Sequence, residues 1–140
     1  MTNDDLKPGL EHSVTIEVDP TMTVPHLPRA LPGMADMPSV FATAYMVAFV
    51  EATAIDAIKP YLTPDQRTVG TSVNMNHTAA TPVGFKVTAT VHLTAVEGKK
   101  LTFKVEARDE KEVIGQGTHE RFIIDLPKFN ARLEAKKSRG

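Results

Sequence analysis

The 140-residue sequence predicts an α+β fold, with one long apolar helix wrapped by an antiparallel sheet of about five strands. Three observations carry that prediction. The segment from Val40 to Ile58 is apolar on almost every side, and a helix of that kind has to be covered. One segment before it and several after it alternate apolar and polar residues, the period of a half-buried strand. The later segments follow one another across short turns, which join antiparallel neighbours.

The elements read in order as follows. Residues 1–12 look loose. Val14, Ile16 and Val18 alternate with Thr15 and Glu17, and Asp19-Pro20 ends the strand. Residues 20–38 hold five of the ten prolines, at positions 20, 25, 28, 32 and 38, so this stretch is an ordered loop or lid, not a helix. Its length favours a functional role. Ser39 is the expected N-cap of the helix, and Lys59 and Pro60 close it near Ile58.

Thr68 to His77 alternates again, with Val69, Thr71, Val73, Met75 and His77 on one face, until Thr81 to Gly84 breaks the pattern. Phe85 to Leu93, Leu101 to Ala107 and Val113 to Ile124 make two successive hairpins, with turns at Glu97-Gly98 and Asp109–Lys111. Leu126 to Lys137 reads as a short terminal helix or tail, and residues 134–140 look loose. The whole chain, 1–140, is expected to be one domain. A single such unit leaves a sheet edge and part of the helix uncovered, so a homodimer is expected.

Composition narrows the function. The net charge is -1 and aromatics are 6% with no Trp, so neither a basic patch nor a base-stacking platform for nucleic acid is visible. There is no cysteine, which removes disulfides, thiolate metal sites and a Cys nucleophile. Histidine spacing suggests no metal centre. The polar N-terminus carries no signal-peptide pattern, so a cytoplasmic protein is expected. As a helix Val40 to Ile58 would be about 28 Å long, but it carries Glu51 and Asp56. Such charges argue against a membrane span.

Glu51 is the strongest chemical clue, because it follows twelve uncharged residues, Ser39 to Val50. A carboxylate held there in a partly dry pocket suits acid–base or nucleophilic work; on a polar stripe it would be an ordinary surface residue. His77 ends its strand, where it is either functional or bonded to a nearby carbonyl. Thr43 falls in the first helical turn, eight residues before Glu51. That is about 12 Å along the axis, so the two could border one groove without touching. A Thr there could equally bond back to its own helix. Gly70 and Gly117 sit inside strands, where glycine permits close approach or marks a bulge. His12, His26, His92 and His119 read as surface or structural. No GxSxG, HExxH or P-loop pattern occurs.

Five strings, FATAYMVAFVEA from Phe41, NHTAATPVG from Asn76, VEGKKL from Val96, IGQGTHERFII from Ile114 and KFNARL from Lys128, resemble the fluoroacetyl-CoA thioesterase family. The resemblance runs from about Val14 to Leu133. It implies a hotdog fold, a dimer, and hydrolysis of acyl-CoA thioesters with neither metal nor other cofactor. The family's catalytic Thr, Glu and His correspond to Thr43, Glu51 and His77. Its pocket glycine and arginine correspond to Gly70 and Arg121.

By that resemblance Glu51 attacks the thioester or activates a water. His77 moves protons, and Thr43 positions Glu51 or the developing oxyanion. The fluoroacetate-specific member has two phenylalanines as a lid before the helix; the matching positions here are Met34 and Met37. Methionine is more adaptable, so a broader or different short acyl group is the expected substrate. The competing readings are a hotdog hydratase or dehydratase and a non-catalytic acyl-CoA-binding protein.

Overall fold

A computed structural model describes residues 1–139. Five strands form one antiparallel sheet: β1 (Glu11–Glu17), β2 (Gln66–Met75), β3 (Lys86–Glu97), β4 (Lys100–Arg108) and β5 (Val113–Asp125). Their spatial order is β1-β3-β4-β5-β2, so β1 and β2 are the two edges. A long helix, α1 (Thr43–Ile58), packs against one face, and α2 (Leu126–Ser138) follows β5. This is the hotdog arrangement that the alternating segments imply.

The core lies between α1 and the central strands. Val87, Ala89, Val91 and Leu93 on β3 and Leu101, Phe103, Val105 and Ala107 on β4 are buried at alternate positions. They meet Met46, Phe49, Val50, Ala54, Ala57 and Ile58 of α1 in one hydrophobic cluster. Each large side chain removed from water there contributes about 1.5–3 kcal/mol before entropy is counted. Gly98, at φ 63°, makes the β3–β4 turn. Across the β4–β5 turn the Asp109 carboxylate accepts the Lys111 and Glu112 N–H groups at 2.8 and 3.0 Å and the buried Thr81 hydroxyl at 2.8 Å.

Several elements differ from the expectation. The helix starts at Thr43 with Ala42 at its N-cap, not at Ser39. Its would-be first residues are claimed by the loops around them: Val40 bridges Pro82, and Phe41 bridges Thr23. Phe41 N–H donates to the Thr81 carbonyl and Ala42 N–H to that of Met22, both at 2.9 Å. The helix is also covered on one side only, since Ala44, Ala48, Ala52, Ile55 and Asp56 are exposed.

The proline-rich segment forms three 3₁₀ turns, Pro20–Met22, Val24–His26 and Met34–Asp36. The N-terminal residues, expected to be loose, include a 3₁₀ turn at Asn3–Asp5 and a buried Leu6. Residues 134–138, also expected to be loose, belong to α2; Gly140 lies outside the described residues. Among the described residues no helix is long and apolar enough to cross a membrane.

Candidate active site

α1 brings Glu51 to the β2 edge of the sheet, against Gly70. Thr43, Val47, Glu51 and Ile55 recur every four residues and so follow one flank of the helix. Two hydrogen-bonded groups form along that flank.

The larger group is built around Arg121 of β5, which is only 3% exposed. Its NH1 donates to Glu51 Oε1 at 3.0 Å and to His119 Nε2 at 3.1 Å. Its Nε donates to the Thr68 hydroxyl and its NH2 to the Thr68 carbonyl, both at 2.9 Å. A guanidinium spends its fork on planar, directional bonds; four such bonds fix Arg121 and, through it, one oxygen of Glu51. Burial lowers the Arg121 pKa, and the Glu51 charge works against that shift. An ion pair set this deep contributes geometry more dependably than stability, because desolvation offsets much of the attraction.

Gly70 gives the carboxylate its place. A Cβ there would stand 2.3 Å from Glu51 Oε1 and 3.2 Å from Arg121 NH1. Gly70 also opens the β-bulge of β2, where the pairing with β5 slips between Gly70 and Ser72. The alternatives of bulge and close approach therefore both hold at this residue.

The second group sits where α1 begins. Thr43 Oγ1 and His77 Nδ1 are 2.7 Å apart, so the Thr hydroxyl bonds His77 and not its own helix. Burial lowers the His77 pKa, keeping the imidazole neutral near neutral pH. Its Nε2 is buried without a hydrogen-bond partner among the described residues. Leaving a buried polar atom unpaired costs about 1–3 kcal/mol, and such atoms call for a particular explanation, a catalytic role among them.

Thr43 reaches His77 and Glu51 reaches Arg121; Thr43 makes no hydrogen bond to Glu51 among the described residues. The helical rise between them accounts for this. Gly70 and Arg121 stand with Glu51. Met34 is half-buried and Met37 exposed on the loop, and neither joins the core cluster or either hydrogen-bonded group.

His119, read from sequence as surface or structural, is fully buried beside Glu51 and Arg121. Its signal was present in the strand period: His119, Arg121 and Ile123 share the inward parity of β5, whereas Thr118, Glu120 and Phe122 share the outward one. The apolar Phe122 on the outward side blurred that parity, and it is indeed exposed.

An open groove of about 830 Å³ lies elsewhere, lined by Phe122, Lys128, Arg132 and Lys136 beside α2. Val69 and Thr71 line it too. Val69, adjacent to Gly70 in the strand, points away from the face on which Gly70 meets Glu51. The clustered titratable groups identify the chemistry better than the size of an open groove does. Among the described residues no group of three or more His, Asp or Glu side chains is arranged to hold a metal ion.

Known proteins place the chain. Residues 18–126 match the family model for fluoroacetyl-CoA-specific thioesterase. A fluoroacetyl-CoA thioesterase from Streptantibioticus cattleyicolor is 42% identical over 137 residues, covering 98% of this chain and 99% of that protein. A solved structure of the fluoroacetyl-CoA thioesterase FlK superposes with a TM-score of 0.91 at 43% identity, covering 95% of this chain and 98% of that one. A Thermus thermophilus protein described as a thioesterase superfamily member gives 0.84 at 28% identity, with coverage of 95% and 94%. The chain belongs to the fluoroacetyl-CoA-specific thioesterase family.

Proposed function

We infer that the chain, an acyl-CoA thioesterase, hydrolyses a short acyl-CoA to free acid and CoA with Glu51, His77 and Thr43 as its reacting set. The observation that carries this reading is the anchored carboxylate. Arg121 holds Glu51 Oε1, while Oε2 takes no hydrogen bond among the described residues and the side chain keeps 37% of its surface accessible. One oxygen is fixed and the other is free to react. Glu51 Oε2 either adds to the thioester carbonyl, giving an acyl-glutamyl anhydride and CoA thiolate that water resolves, or takes the proton of a water that adds directly. In both routes a proton from the hydrolytic water ends on the CoA sulfur. His77, neutral and steadied by Thr43, is the group suited to move it.

The catalytic unit we propose is a homodimer. The open backbone edge of β2 offers unpaired N–H and C=O groups. Exposed Ile55 on the site flank of α1 and Val73 on β2 are the kind of apolar surface a second copy would cover. The enzyme is assigned to the cytoplasm, acting on free acyl-CoA without a metal or organic cofactor. Met34 and Met37 are assigned to a lid over the acyl group, softer than a pair of phenylalanines.

The test is free-thiol release from a panel of acetyl-, fluoroacetyl- and branched or aromatic acyl-CoAs. Release from short members is expected. Strong preference for fluoroacetyl- over acetyl-CoA would show that the methionines preserve a fluorine-selective lid; release without it would mark a broader thioesterase. No release from any member would overturn the reading in favour of hydration chemistry or simple binding.

A further inference from the structure

Nothing in the reacting set explains why a histidine is sealed beneath it. His119 is fully buried, its ring stacked on Phe103 with centroids 6.3 Å apart and planes 27° apart. Both ring nitrogens are engaged, and the partners dictate the proton's place. Nδ1 lies 2.8 Å from the Ser72 carbonyl, which can only accept, so Nδ1 carries the hydrogen. Nε2 lies 3.1 Å from Arg121 NH1, which can only donate, so Nε2 offers its lone pair. Glu51 Oε1, at 4.0 Å from Nε2, is too far for a hydrogen bond.

The Ser72 carbonyl is the first link. It follows the β2 irregularity, where Gly70 pairs with Arg121 and Ser72 with Glu120, leaving Thr71 as the extra residue. A bulge releases backbone groups from the regular ladder and re-aims them. The bulge that lets Glu51 lie against Gly70 thus also supplies the acceptor that fixes the His119 tautomer.

We propose that His119 is a positioning residue: held as the neutral Nδ1–H tautomer by Ser72, it accepts from Arg121 NH1 and so aims the guanidinium at Glu51 Oε1. A protonated His119 would turn an N–H toward NH1 and destroy the arrangement. Burial holds its pKa down. The Ser72 bond opposes that, Arg121 reinforces it, and the Glu51 and Glu120 charges oppose it. The proposal rests on the assignment of Glu51 as the reacting carboxylate, and its test has an arm that does not.

That arm is a long-range ¹H–¹⁵N correlation of the ring nitrogens in the unaltered protein. The expected spectrum shows His119 protonated at Nδ1 and bare at Nε2, unchanged as the pH falls through 6.5, the ordinary histidine value. A proton on Nε2, or a cationic ring at neutral pH, overturns the proposal whether or not the protein releases thiol. The second arm is kinetic. His119→Leu keeps the bulk without an acceptor, while His119→Gln restores an oxygen at about the reach of Nε2.

Leu is expected to lower kcat about 10-fold or more with KM within about 3-fold, the pattern of a misaimed reacting group, and Gln to recover most of kcat. Circular dichroism confirms that each variant is folded. A folded Leu variant with parental kcat, or a folded Gln variant no better than Leu, overturns the proposal. If Leu does not fold, the tautomer and the Gln variant decide. A parent without thiol release, with the expected tautomer, would sink the proposed function and leave the geometry standing.

Discussion

The two edge strands of this sheet are put to different uses. β1 pairs with β3 in unbroken register from Glu11–His92 to Glu17–Lys86. Its outward hydroxyls pair across the ladder, Ser13 with Thr90 at 2.8 Å and Thr15 with Thr88 at 2.7 Å. Val14 and Ile16 point inward and pack against the core. β2 pairs with β5 through a bulge, is exposed along most of its length, and covers an arginine, a histidine and a carboxylate instead of aliphatic groups. One edge follows the rules for a stable strand. The other departs from them at Gly70, and the departure is where Glu51 lies. Local irregularity of this kind collects at sites that have a function to perform.

The sharpest way to break the comparison is to remove the charge of Glu51 and keep its shape. Glu51→Gln is expected to lower kcat by about 100-fold or more, the scale of a lost acid–base or nucleophilic group. The fold should persist, since the amide oxygen can still accept from Arg121. Near-parental thiol release from a folded variant would remove Glu51 from the mechanism. Next in size is Gly70→Ala, whose new methyl would meet Glu51 Oε1 at 2.3 Å. That oxygen ends a flexible side chain, so the carboxylate should swing aside at little cost to stability. The expected loss is about 10- to 100-fold in kcat, as for a misplacement near 1 Å, with a melting temperature within a few degrees of the parent. Unchanged kcat would mean that the contact with Gly70 is incidental.

Much of this contrast was legible beforehand. Both edges alternate, and the strands, their order along the chain and the apolar helix follow from period and turn residues alone. Glu51 stood out because a charge interrupts an apolar run. Two things hid the rest. Ser39 has the right chemistry for an N-cap, but Val40 and Phe41 are held by bridges to Pro82 and Thr23, contacts with no local signature. A histidine between Thr118 and Glu120 has the local sequence of a surface residue, although His119 is buried. Only the parity it shares with Arg121 and Ile123 marks it as inward.

A smaller effect separates the two hydrogen-bonded groups along α1. Thr43→Ala removes the 2.7 Å contact to His77 while Glu51 keeps Arg121. A fall of about 10-fold in kcat is expected, less than the roughly 100-fold or more of losing an acid–base group outright, because His77 itself remains. Acidity gives an independent measure. Burial lowers the pKa values of both His77 and His119 below the ordinary 6.5. The unfolded chain therefore takes up these protons first on acidification, and stability rises with pH wherever the unfolded state binds more of them. The neutral-histidine contribution is full above pH 6.5 and is lost as pH falls through the lowered values. Melting followed from neutral to mildly acidic pH should show that decline. Replacing His77 by Gln should remove its share, and an identical pH slope in that variant would show that His77 is not the group titrating.

The smallest expected effect lies on the other edge. Thr15→Ala removes one hydroxyl from the Thr15–Thr88 pair. Cross-strand pairs of this kind are worth about 0.2–1 kcal/mol, so a slight loss of stability is expected with kcat unchanged. That pairing of outcomes is the mirror of Gly70→Ala, where kcat falls and stability barely moves. Measured side by side, the two substitutions ask whether each edge is specialised. If Thr15→Ala lowered kcat as much as Gly70→Ala, the sheet would be transmitting strain from β1 through β3, β4 and β5 to the site. The bulge of β2 would then be one part of a coupled sheet and not a locally isolated device.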